Sequence, residues 1–184
     1  RIQEELRQLD MPKVRFSIQF TEQEPAEMGI DAVRFLMSAN VGEALKPIQK
    51  VASGGELARI MLALKNVLAE SESVGTMVFD EVDTGVSGRA AQKVAEKLAQ
   101  VTRHKQVPCV THLPQLAAMA DTHFSVEKGE RDGRTYTSVR RLSRDERKGE
   151  LARLTGGDRI TPAMLAGAEE LIDAAEQYKA GLPK

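Results

Sequence analysis

A chain of 184 residues, 41% hydrophobic and 29% charged, is long enough to bury the core of one globular domain or large lobe. Its 26 lysines and arginines are balanced by 27 aspartates and glutamates, which excludes the broad basic surface of non-specific DNA binding, so any DNA contact is local or lies elsewhere. The single Cys109 excludes a disulfide framework, and no apolar run approaches the roughly 18 residues of a membrane span, nor does a signal peptide stand at the N-terminus; a soluble cytoplasmic chain with a buried thiol and no membrane partner is expected.

Ile2, Leu6 and Leu9 share one helical face before Pro12, so residues 1–12 read as the end of a helix. Val14, Phe16, Ile18 and Phe20 then alternate with polar residues, the period of a strand with one buried face. After a loop through Glu24-Pro25, residues 33–39 form a second strand candidate, and Asn40 to Gly42 and Pro47 punctuate the approach to Ser53-Gly54-Gly55-Glu56. A helix starts there. Leu57, Ile60, Met61, Leu64, Val67 and Leu68 follow a three-four spacing along it, which predicts a core-facing stripe with Lys65 and Glu70 toward water.

Two short apolar runs follow, Thr76-Met77-Val78-Phe79 ending in Asp80-Glu81, and Val107 to Thr111 ending in His112. Both predict buried strands. Between them Ala90, Ala91, Val94, Ala95, Leu98 and Val101 mark an amphipathic helix, so the order is strand, helix, strand, as parallel α/β architecture with a right-handed crossover requires. A small helix after Pro114 precedes two more strand candidates, 123–127 and 136–141, which the Gly-rich segment between them predicts to pair as a hairpin. Two helices close the chain, 147–154 ending at Gly156-Gly157, and 162 to about 178 with Leu165, Leu171, Ile172 and Ala175 on one side.

The chemistry-bearing residues fall at the ends of these elements. Asp80 and Glu81 stand at the carboxyl end of an apolar strand, where open α/β sheets bind ligands. There Asp80 suits a Mg²⁺ ion and Glu81 suits the base that polarises a water attacking a phosphate; a solvated turn is the plainer reading. Ser53 and Glu56 make the S-x-x-E capping box with or without a ligand. The box leaves Gly54-Gly55 unexplained, since glycine in a first helical turn costs on the order of 1 kcal/mol relative to alanine; a closely approaching phosphate would explain them. His112, at the end of the neighbouring strand, is either a structural histidine or a donor to a γ-phosphate. No Cys/His metal spacing and no nucleophile triad stands out.

Taken in order, Ser53-Gly54-Gly55-Glu56, Val78-Phe79-Asp80-Glu81, Asp83 with Gly85, and Val110-Thr111-His112-Leu113 resemble the signature motif, Walker B motif, D-loop and switch histidine of ABC-type ATPases. Transporter members usually read Asp-Glu-Pro after the Walker B strand and end the signature in Gln. Val82 and Glu56 depart from both habits and resemble instead the structural-maintenance-of-chromosomes (SMC) and DNA-repair branch, above all its bacterial double-strand-break repair members. The resemblance implies an α/β C-terminal lobe of an ATPase head, with a parallel β core, flanking helices and additional antiparallel strands. Residues 1–12 would end the returning arm of a coiled coil, and residues 13–184 would form the C-terminal half of the head.

The same resemblance assigns Mg²⁺ coordination to Asp80, the catalytic base to Glu81 and γ-phosphate sensing to His112. It makes Ser53, Gly54 and Gly55 a contact to ATP held by a second head, with Asp83 at the dimer seam. A scan from Arg1 finds no G-x-x-x-x-G-K-[ST] loop, so the partners implied are the N-terminal half of the same head, which would supply Walker A, a second head in an ATP-dependent homodimer, and DNA at the nucleoid. This chain alone is then expected to hydrolyse no ATP. Two rival readings are a transporter's nucleotide-binding subunit, against which Val82 speaks, and a non-catalytic interaction module in which the same residues only cap and end elements.

Overall fold

The computed structural model describes every residue except 28, 39, 51–53, 70–72, 81, 132, 158 and 184. It divides into two compact units, Arg1–Val94 with His104–Val110, and Ala95–Arg103 with Thr111–Lys184.

In the first unit, α1 (Ile2–Gln8) ends where Asp10 takes a φ of 62°, and it buries Leu6 while Leu9, Met11 and Val14 continue the same core. It packs against α2 (Gly54–Leu68), where Asn66 Nδ2 donates to Glu5 Oε2 at 2.6 Å. β1 (Arg15–Ala26) and β2 (Gly29–Ser38) pair antiparallel from Arg15↔Ser38 to Glu22↔Asp31, with an irregularity beyond Glu22, and the two-residue β3 (Lys46–Pro47) adds to the β2 edge. Their register, Phe16↔Met37, Ile18↔Phe35 and Phe20↔Val33, gathers six apolar side chains on one face, because alternate residues of paired strands point the same way. The alternation predicted that this face is buried. Only Met37 is fully so, whereas Phe20 is 65% exposed and Ile18, Val33 and Phe35 are exposed too.

A similar correction applies to α2. Its buried residues are Gly55, Ile60, Leu62 and Ala63, while Leu57, Met61 and Leu68 of the expected stripe are exposed: the spacing marks an apolar surface, but burial follows the narrower strip that neighbours cover. Lys65 does not simply face water, since its Nζ lies 5.4 Å from the Phe79 ring centroid, a cation–π distance. Glu70 lies outside the described residues.

The two apolar runs meet in the direction expected, through parallel bridges Thr76↔Gln106 and Phe79↔Cys109 and hydrogen bonds such as Phe79 N–H to Pro108 O at 2.9 Å. Among the described residues these parallel contacts stay isolated bridges and do not extend into a named sheet. Both sheets among the described residues are antiparallel, and although Met77 and Phe79 are buried, Val78 and Val110 are about two-thirds exposed, at 63% and 64%. A parallel pair is covered on both faces only when further layers flank it, and here the alternate face stays open. α3 (Gly88–Val101) follows its predicted pattern, burying Ala91, Val94, Ala95, Leu98 and Val101.

In the second unit, the short α4 (Pro114–Met119) buries Leu116 through Met119. β4 (Phe124–Arg131) and β5 (Arg134–Arg141) form the expected hairpin, longer than predicted. α5 (Arg144–Gly156) begins three residues before the predicted start, because Ser143 and Glu146 form a full capping box: the Ser143 hydroxyl accepts from Glu146 N–H and the Glu146 carboxylate from Ser143 N–H. α6 (Pro162–Ala180) starts at Thr161, whose hydroxyl accepts from Met164 N–H. Leu151, Ala152, Ala168, Ile172 and Ala175 fill this unit's core with α4. Arg144 on α5 reaches Glu169, Asp173 and Glu176 on α6, carboxylates spaced so that one helical face presents all three.

Candidate functional site

The start of α2 is built against a turn thirty residues on. Residues 82–85 form a turn in which Val86 N–H donates to Asp83 O at 3.1 Å; Val82, Asp83 and Val86 are buried, Asp83 to 2% exposure. Gly85 adopts a φ of +67°, a left-handed conformation that favours glycine. A Cβ placed on Gly55 would stand 2.6 Å from the Thr84 carbonyl oxygen and 2.9 Å from that of Gly85, both backbone atoms. At Gly55 a close approach is therefore made by the chain itself. It leaves Gly54 without such a reason: a Cβ there would meet only Thr84 Cγ2, at 3.9 Å. Sequence reasoning missed Thr84, and no local pattern ties a carbonyl at 84 to a glycine at 55.

Asp80 is exposed in a bend immediately after the bridged Phe79. The Cys109 thiol opposite Phe79 is pushed up to about 12, first by burial and then by the negative charges of Asp83 and Asp80, so both carboxylates bear on one corner of this unit. Cys109 itself is half-buried, in keeping with an inert thiol. Among the described residues no group of three or more His, Cys, Asp and Glu side chains is placed to hold a metal ion.

His112 belongs to the second unit, where it is exposed ahead of α4; next to it, Leu113 N–H donates to Thr111 Oγ1 at 3.0 Å. Of the predicted site residues, then, Gly54, Gly55, Asp80 and Asp83 lie in the first unit, with Gly55 against the turn that follows Asp83. Ser53 and Glu81 lie outside the described residues.

No family model matches the chain. Among curated proteins, "DNA repair protein RecN" of Bacillus subtilis (strain 168) is 46% identical over 194 residues, covering 97% of this chain and 34% of that protein. The protein of the same name from Halalkalibacterium halodurans is 47% identical over 183 residues, covering 97% of this chain and 32% of its own length. The chain thus spans about a third of the relatives it matches. Among solved structures, an SMC head domain with a coiled coil and joint from Pyrococcus yayanosii superposes with a TM-score of 0.63 at 22% identity, covering 84% of this chain and 28% of that one. A chain from work on ATP-driven dimerization of SMC ATPases gives a TM-score of 0.54 at 19% identity, covering 84% of this chain and 91% of that one; at such identities the likeness is one of fold. At 46–47% identity along nearly its whole length, this chain is a homologue of the C-terminal part of RecN DNA repair proteins, with the fold of an SMC head.

Proposed function

We propose that this chain is the C-terminal half of an SMC-like ATPase head that acts in DNA double-strand-break repair and recombination, in the cytoplasm at the nucleoid. The observation that carries the reading is Asp80, an exposed carboxylate at the end of a segment paired in parallel with its neighbour and close to the buried Asp83. Ligands of open α/β folds sit at such strand ends.

In this reading Asp80 holds Mg²⁺, which supplies charge neutralisation on the phosphates of ATP. Glu81, next along the backbone, accepts the proton of the attacking water. His112 donates a hydrogen bond toward the γ-phosphate and aligns that water. Gly54 and Gly55, which begin α2, meet the ATP of a second head together with Ser53, with Asp83 at the seam. ATP then joins two heads and its hydrolysis releases them. The remainder of the same head supplies the Walker A cradle, residues 1–12 end the returning coiled-coil arm, and the complete protein engages DNA; this chain alone is inactive.

The test is Glu81→Gln in the complete protein. The amide keeps the shape of the carboxylate but accepts no proton, so ATP binding is retained while hydrolysis slows by roughly 10²-fold or more. Turnover near the wild-type rate would remove Glu81 from the role of base.

A further inference from the structure

The contact between Gly55 and the 84–85 turn has a consequence that phosphate binding does not require. Two segments distant in sequence, the first turn of α2 and the turn after Asp83, touch backbone to backbone. Gly55 faces the carbonyl oxygens of Thr84 and Gly85, and a Cβ on Gly85 would in its turn stand 3.4 Å from both Gly55 Cα and Gly55 N. Gly55 cannot gain a methyl group without backbone movement, since a contact under 3.0 Å between Cβ and a carbonyl oxygen has no flexible side chain to relieve it, whereas Gly85 is held to glycine by its φ of +67°. The turn is also anchored beneath by Val82, Asp83 and Val86, all buried. Packed backbones of this kind move together or not at all.

We propose that Gly55 is a positioning residue: its missing side chain latches the Asp83–Val86 turn onto the start of α2, so that both surfaces offered to a second head are presented as one rigid body. The functional half of this proposal rests on the ATPase reading above; the latch itself does not. Gly54, which opens the same helix and has no comparable neighbour, is the internal control, and alanine at either position favours the helix equally.

The complete protein without nucleotide is the material for the first measurement, native-state hydrogen exchange. In the wild type, the Val86 amide and the amides that close the first turn of α2 should open together, with protection agreeing within about threefold as denaturant is raised, as members of one cooperative unit do. Protection differing by more than about tenfold would overturn the latch, and this readout needs no variant to fold. Gly55→Ala should then raise exchange across residues 82–86 by about tenfold or more, against less than about twofold for Gly54→Ala; equal effects of the two substitutions would also overturn it. With ATP, Gly55→Ala should lower kcat about tenfold while KM stays within about twofold, because the turn does not touch the nucleotide that a head holds for itself. An activity loss that only tracks lost folded protein would reduce Gly55 to a stability residue. Coupled exchange without ATP-dependent head pairing sinks the ATPase reading alone, and uncoupled exchange with intact pairing sinks the latch alone.

Discussion

The antiparallel pairs β1–β2 and β4–β5 differ in their surfaces. The β1–β2 pair carries Phe16, Ile18, Phe20, Val33, Phe35 and Met37 on a single face, with the Phe16 and Phe35 rings 5.7 Å apart. The β4–β5 hairpin also exposes Phe124, Val126, Tyr136 and Val139, but sets them among Lys128, Glu130, Arg134, Arg140 and Arg141 and among serines and threonines. Soluble domains rarely leave a contiguous apolar face in water, so the first ribbon has the composition of an interior surface and the second that of an outer one. The same contrast separates the units. Most exposed large hydrophobic residues described, including Leu57, Met61, Val78 and Val110, belong to the first, whereas the second closes its own core with α4, α5 and α6 and caps its helices.

Three measurements break or sharpen this contrast. The largest effect is expected at Phe20. If the remainder of the protein covers the β1–β2 face, Phe20→Ala costs about 3–5 kcal/mol in the complete protein and less than about 0.5 kcal/mol in this chain alone, read from denaturant unfolding of both. Small, equal losses would mean that the face is solvated throughout. Next is Ile172→Ala, a fully buried residue of α6, which should cost about 2–5 kcal/mol in either context; a loss that depends on the rest of the protein would show that the second unit does not close by itself. The smallest effect concerns pH. His123 has its pKa lowered below the ordinary 6.5, first by burial and then by the Arg147 charge, with Glu150 opposing, and its Nδ1 is buried without a hydrogen-bond partner among the described residues. The fold therefore favours neutral His123, and its contribution to stability is full above pH 6.5 and shrinks as pH falls below that value. His123→Gln should flatten that limb. It lies above the window in which Glu150, lowered from 4.5 chiefly by its hydrogen bond to Arg153, loses its own contribution. An unchanged slope would assign the limb to another group.

What the sequence disclosed follows from the range of the signal. Period-two and three-four patterns are local, and β1, β2, α3, the hairpin and α6 were legible from them, as was the parallel direction of the two central runs. Burial is not local. The α2 stripe and the alternating face of β1 were apolar as read, yet what lies over Leu57, Met61 or Phe20 is decided by segments far away or outside this chain. The start of α5 was missed although Ser143 and Glu146 spelled it out. In the candidate site, Gly54, Gly55, Asp80, Asp83 and His112 were singled out by ordered motifs, but the contact of Gly55 with the carbonyl at position 84 was not legible, because no local pattern ties the two.

The half-buried Cys109 has a practical consequence. Burial and the charges of Asp83 and Asp80 push its thiol up to about 12, which disfavours the thiolate, the reactive species, at neutral pH. Maleimides are therefore expected to react with it more slowly than with an exposed cysteine. A reporter cysteine introduced on an exposed strand should thus be labelled in preference to the native one, which suits this chain to fluorescence and spin-label distance measurements.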